Sequence, residues 1–265
     1  MTDYIAVSSQ SISGSVAKNP PLIELGSDSH LEAFASRRVK IKQAQGREAF
    51  LSTLDSGEKI FCKEYQEQGI LALLRSKLYG SRAASGHQKC LDFFNTGALT
   101  ASPLGYLVKR TALFSRVSYQ FIAFIENSIT LDKVLKEQHS AADRQPIITE
   151  LVQALLKIHQ HGFCHGDLKL RNILVKDTAL YFIDLDSFSA IGWRKTAQTD
   201  MARLIVGLSE AGCVNEDVDF FLHTYCQQGG LDRHVLVKKI RPLIAKFQCR
   251  HKRRHGREPI AIDMT

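Results

Sequence analysis

The stretch from His161 to Asp186, HGFCHGDLKLRNILVKDTALYFIDLD, restricts the fold more than any other part of the chain. A polar turn, His165-Gly166-Asp167-Leu168-Lys169-Leu170-Arg171-Asn172, runs directly into two short apolar segments, Ile173-Leu174-Val175 and Leu180-Tyr181-Phe182-Ile183. Lys176-Asp177-Thr178 separates them, so the pair predicts a hairpin. Upstream, Ile147, Leu151, Leu155 and Ile158 recur at helical spacing and Gly162 ends that helix. Asp143 is expected to cap it, with Pro146 in the first turn. A second acidic site, Asp184 with Asp186, follows the second strand. A plain turn between buried strands has no need of Asp, Lys, Asn and another Asp at this spacing.

These residue types suit phosphoryl transfer, which needs a base to orient the acceptor, divalent metal at the triphosphate and a cation near the moving group. Asp167 can accept a hydroxyl proton, and Lys169 can reach a γ-phosphate. Asn172 offers an amide oxygen and Asp184 a carboxylate, a small oxygen set of the kind Mg²⁺ takes together with phosphates and water.

HGDLKLRN resembles the catalytic loop of the protein-kinase-like superfamily, H-R-D-L-x-x-x-N in general form, with Gly166 in place of Arg. IDLD stands where that superfamily has D-F-G. The resemblance implies an α+β, bilobal fold with a small β-rich N-lobe and a mainly helical C-lobe. It implies ATP and Mg²⁺ as cofactors, Asp167 and Lys169 as catalytic residues, and Asn172 and Asp184 as metal ligands. His165 becomes a brace for the loop, and neither it nor His161 is assigned as base or ligand.

The domain reading is a flexible arm over 1–34, an N-lobe over 35–126 and a C-lobe over 127–258 with a basic end. The arm is rich in Ser and Gly, contains Pro20-Pro21, and lacks the basic-then-apolar pattern of a secretory signal. Strands are expected at Val39 to Lys42, Ala49 to Leu54 and Lys59 to Tyr65, then at Leu104 to Lys109 and Tyr119 to Ile125. By the resemblance, Lys63 contacts the α- and β-phosphates, Gly46 is all that remains of a phosphate-cradling loop, and Phe124 and Ile125 form the adenine-binding hinge. A helix is expected over Leu71 to Phe94, without the Glu that pairs with the strand lysine in kinases. That omission keeps open a pseudokinase serving as a binding module. The region from Asp217 to His255 reads as helical.

Gly192-Trp193-Arg194-Lys195 and the run Asp200-Met201-Ala202-Arg203-Leu204 resemble the lipopolysaccharide kinase group, the heptose and Kdo kinases of bacterial core assembly. In that resemblance Asp200 hydrogen-bonds the catalytic loop, and the acceptor is a sugar hydroxyl of the core. Rio-type protein kinases and other small-molecule kinases are the alternatives. The six cysteines form no CxxC pair and suit a reducing cytoplasm. Net charge is +8, concentrated near the C-terminus, which suggests a glycan phosphate or the anionic inner face of the inner membrane. Few aromatics interleave with those cations, which argues against a nucleic-acid groove.

Overall fold

The computed structural model describes residues 2–18, 22–70, 78, 80–138, 140–192, 196–256 and 261–262. The chain divides into two compact units, residues 1–92 with 101–126 and residues 93–100 with 127–265.

The first unit is built on a sheet of seven antiparallel strands: β1 (Tyr4–Ser8), β2 (Ile12–Ala17), β3 (Val39–Ala44), β4 (Arg47–Thr53), β5 (Lys59–Gln68), β6 (Pro103–Ala112) and β7 (Ser115–Ala123). Their order is β1-β2-β6-β7-β5-β4-β3. The expected arm is therefore corrected: its first residues are two strands, followed by a 3₁₀ turn at Leu22–Gly26 and helix α1 (Asp28–Ser36). Composition misled here because the small residues are packing devices. A Cβ on Gly14 would stand 2.1 Å from the Tyr106 carbonyl oxygen, and one on Gly105 2.4 Å from that of Ser15, so both glycines let β2 and β6 lie close. Ile12, Val16, Leu31 and Phe34 enter the same core as Phe50, Ile60, Leu107 and Phe121. Phe34 meets Phe50 and Phe121 with ring centroids 6.1 and 5.8 Å apart. Burial of each such ring stabilises by about 1.5–3 kcal/mol, enough to fix α1 against the sheet.

Strand β5 is central and covered on both faces. Lys63 lies between Ala49 and Gln120 in register and is only 8% exposed. Helix α2 (Arg82–Phe94) packs against the neighbouring β7: a Cβ on Gly86 would fall 2.5 Å from the Gln120 amide oxygen. Glu67 starts this helix, accepting from Arg82 N at 2.7 Å, Arg116 Nε at 2.6 Å and the Ser118 hydroxyl at 3.2 Å. Residues 71–77 and 79 of the expected longer helix lie outside the described residues.

In the second unit, β8 (Ile129–Thr130) leads into α3 (Leu131–Glu137) and α4 (Ala141–Gln160). Ser140, rather than Asp143, caps α4; Asp143 completes the capping box from the third helical position, and Pro146 sits in the second turn. After β9 (Phe163–Cys164) come a 3₁₀ turn (Leu170–Asn172), β10 (Ile173–Lys176), β11 (Ala179–Phe182) and β12 (Ser189–Ala190). The β10–β11 hairpin forms as expected, with Asp177 and Thr178 both at positive φ in a two-residue turn. Helices α5 (Ala197–Glu210), α6 (Asn215–Gly229) and α7 (Arg233–His255) complete the unit. The single helical region expected from Asp217 is two helices, because Gly230 closes α6 in the left-handed region.

Arg144 of α4 donates to Asp217 of α6 at 2.8 Å, and both side chains are buried. Asp217→Ala is expected to cost about 3–5 kcal/mol by stranding the buried guanidinium. Urea unfolding would show it as a lower midpoint at unchanged slope. None of the described helices is long and apolar enough to cross a membrane.

Candidate active site

The loop that follows α4 is set from its backbone outward. Gly162, at φ 78, ends the helix, and β9 pairs with β12. Gly166 sits at φ 79, and a Cβ there would meet the Ser187 carbonyl oxygen at 2.5 Å. No other residue fits, which explains why Gly occupies the place where the general motif has Arg. Asp200, fully buried near the start of α5, accepts from His165 N at 2.6 Å and Gly166 N at 2.9 Å. This is the contact its resemblance implied.

His165 is completely buried. Its Nε2 bonds the Ile183 carbonyl at 3.0 Å and must be the donor, since a carbonyl only accepts. Burial outweighs the nearby acids and holds its pKa below the ordinary imidazole range, so the ring stays neutral. It braces the loop against β11 and is out of reach of any solute.

Asp167 follows on the rim. Arg203 Nη1 donates to its Oδ1 at 2.6 Å and Lys169 Nζ to its Oδ2 at 2.9 Å. The carboxylate is thus oriented by two charge-assisted bonds while its side chain remains 32% exposed, open to a solute hydroxyl. Asn172 Nδ2 donates to the Asp167 carbonyl at 2.9 Å, which locks the loop and leaves the amide oxygen as the group for a cation. Ile183 N donates to the Asn172 carbonyl at 2.8 Å, bringing Asp184 next to Asn172 along the chain ends of the hairpin. Asp184 holds φ 59, ψ 54. A non-glycine residue in that left-handed region costs on the order of 1 kcal/mol. The surrounding turn imposes it, and it sets the direction in which the carboxylate leaves the chain. One amide oxygen and one carboxylate fit Mg²⁺ with phosphate and water. Among the described residues no group of three His, Cys, Asp or Glu is gathered around a metal position.

Arg203 is the partner of Asp167 that sequence reasoning passed over. The Asp200-Met201-Ala202-Arg203 run puts the two at i, i+3, on one face of α5, so that Asp200 holds the loop backbone and Arg203 its side chain. The Arg203 guanidinium lies 4.7 Å from the ring centre of Phe247 in α7. Removing it leaves Asp167 only the flexible Lys169. Arg203→Met is expected to lower kcat by about 10²-fold, with KM for ATP little changed and partial recovery in Arg203→Lys. An equal loss in both constants would mark Arg203 as a binding residue instead.

In the first unit, Gly46 at φ 67 forms a two-residue turn with Gln45 between β3 and β4, and its carbonyl accepts from Gln66 N at 3.0 Å. Strand β7 stops at Ala123, so Phe124, 38% exposed, and Ile125 lie just beyond it rather than within it. Helix α2 carries no Glu, and its Asp92 accepts from Gln88 Nε2 at 2.9 Å. Trp193 and Arg194 lie outside the described residues.

An α+β chain with this loop, hairpin and acidic turn, matched over most of its length by a kinase family, is a phosphotransferase. The model of the "Lipopolysaccharide kinase (Kdo/WaaP) family" matches residues 36–225, and the chain belongs to that family. Among solved structures, it is similar to "WaaP in complex with acyl carrier protein", with a TM-score of 0.64 and 17% identity over 88% of this chain and 96% of that one. Comparison with curated proteins finds no match.

Proposed function

We propose that the chain transfers the γ-phosphoryl group of ATP to a sugar hydroxyl of a lipopolysaccharide core, at the cytoplasmic side of the inner membrane. The observation that carries this is the Asp167 carboxylate, fixed by Arg203 and Lys169 and still open to solute, in a chain of this family. Asp167 takes the proton of the acceptor hydroxyl as that oxygen bonds to the γ-phosphorus, and the bond to the β,γ-bridging oxygen breaks. Lys169, beside the base, neutralises charge on the moving group. Asn172 and Asp184 would hold Mg²⁺, which offsets the charge of the triphosphate when bound. Lys63, buried on β5, is assigned to the α- and β-phosphates, with Gly46 and the Phe124-Ile125 segment at the nucleotide.

The test supplies γ-labelled ATP and Mg²⁺ with either dephosphorylated core oligosaccharide or a mixed protein acceptor. Label on the glycan, located on one hydroxyl by mass spectrometry, is the expected result. Label on protein alone would move the chain to the protein kinases.

A further inference from the structure

Helix α7 contains nine of the chain's 35 Lys and Arg and no Asp or Glu. The remainder of the chain then holds 26 Lys and Arg against 27 Asp and Glu, so the whole net charge of +8 resides in one helix. The distribution around that helix is equally one-sided. Leu236, Ile240, Ile244 and Phe247 are buried on the face toward α5. Lys238, Lys239, Arg241, Lys246, Arg250 and Arg253 lie outside that face and are exposed. Among the described residues none of these six has an acidic partner within 4.0 Å. Arg233, which does, pairs with Asp219 at the inner edge.

We propose that this outward face of α7 is a docking surface for an anionic lipid bilayer. At 23 residues, with Pro242 inside it, the helix is about 34 Å long. Along its middle lie Val235, Pro242, Ala245 and Cys249, exposed and small, with cations on both flanks. Such a surface rests at the level of lipid headgroups, held by charge, and has no large side chain to drive deeper. It presents no Trp, Tyr or Phe, whereas protein interfaces are anchored by aromatics and single-stranded nucleic acid stacks on them. The inference deepens the proposed function, since a lipid-linked acceptor brings the enzyme to such a bilayer. The charge argument does not depend on the acceptor.

Sedimentation of the full chain with sucrose-loaded vesicles provides the test, in the absence of ATP and acceptor. Vesicles of equal parts phosphatidylglycerol and phosphatidylcholine should pull the protein down at low salt, and pure phosphatidylcholine should not. Each near-surface cation contributes about fivefold to partitioning. The triple variant Lys238→Glu, Lys246→Glu, Arg250→Glu should therefore lose about 100-fold or more, while keeping its Tm and its transfer to a water-soluble acceptor. A fluorophore on Cys249, the exposed one of the six cysteines, should shift to the blue only with the anionic vesicles. Equal binding to both vesicles, binding to neither, or undiminished binding by the variant overturns the proposal. Retention on polyglutamate or DNA with none on vesicles overturns it too. Vesicle binding without glycan phosphorylation would leave the surface standing and remove only the proposed acceptor.

Discussion

Asp167→Asn is expected to lower phosphoryl transfer by about 10³-fold while ATP still binds. The amide has the shape of the carboxylate, and its oxygen can still accept from Arg203, but it has no basicity to take the acceptor's proton. Asp167→Ala should lose activity to the same degree for a less clean reason. It also leaves Arg203, 18% exposed and stacked on Phe247, without its carboxylate, at about 1–3 kcal/mol in stability. The pair of variants therefore separates chemistry from structure. Both should be inactive, and only the Ala form should melt earlier in a thermal scan. Turnover by the Asn variant within tenfold of the parent would remove Asp167 from the role of base.

Asp200→Ala should damage both the stability of the C-terminal unit and the activity. Its carboxylate is fully buried and accepts two backbone N–H groups, from His165 and Gly166, with His159 Nε2 3.5 Å away. Alanine leaves those donors unsatisfied where no water replaces the acceptor, at about 3 kcal/mol in total. For a chain of this size Tm should fall by about 10 °C. Activity should fall further than stability, because the same two bonds fix the peptide from which Asp167 projects. Asp200→Asn offers one acceptor oxygen in place of two and should fall between. A Tm within 2 °C of the parent, or activity in proportion to the folded fraction, would show that the loop holds its shape without Asp200.

The shape of the candidate loop was legible because its polar residues lie within eight positions, from His165 to Asn172, and the hairpin after it fixes where Asp184 must fall. Local spacing suffices there. Arg203 reaches Asp167 across 36 positions, and that contact exists only once α5 has packed beneath the loop. The i, i+3 spacing with Asp200 was the available signal, and by itself it reads as an ordinary helix face. The N-terminal strands were lost for the opposite reason. Ser13, Gly14 and Ser15 look like linker, and Gly14 makes strand only because the β6 backbone lies against it. Local preference yielded to tertiary packing. At α4, Asp143 drew the cap three residues too far because a capping box contains two eligible acceptors. A strand from Lys59 to Tyr65 was expected, but the burial of Lys63 was invisible without the strands that flank it.

The stacking of Phe247 beneath Arg203 has a bearing on when the enzyme comes alive. Phe247 stands 80 positions after Asp167, so the ring is made only after the loop it steadies. A nascent or prematurely terminated polypeptide can already contain Asp167, Asn172 and Asp184, yet it lacks the ring that steadies the arginine. The support of Asp167 is therefore complete only when α7 has been made and has packed against α5.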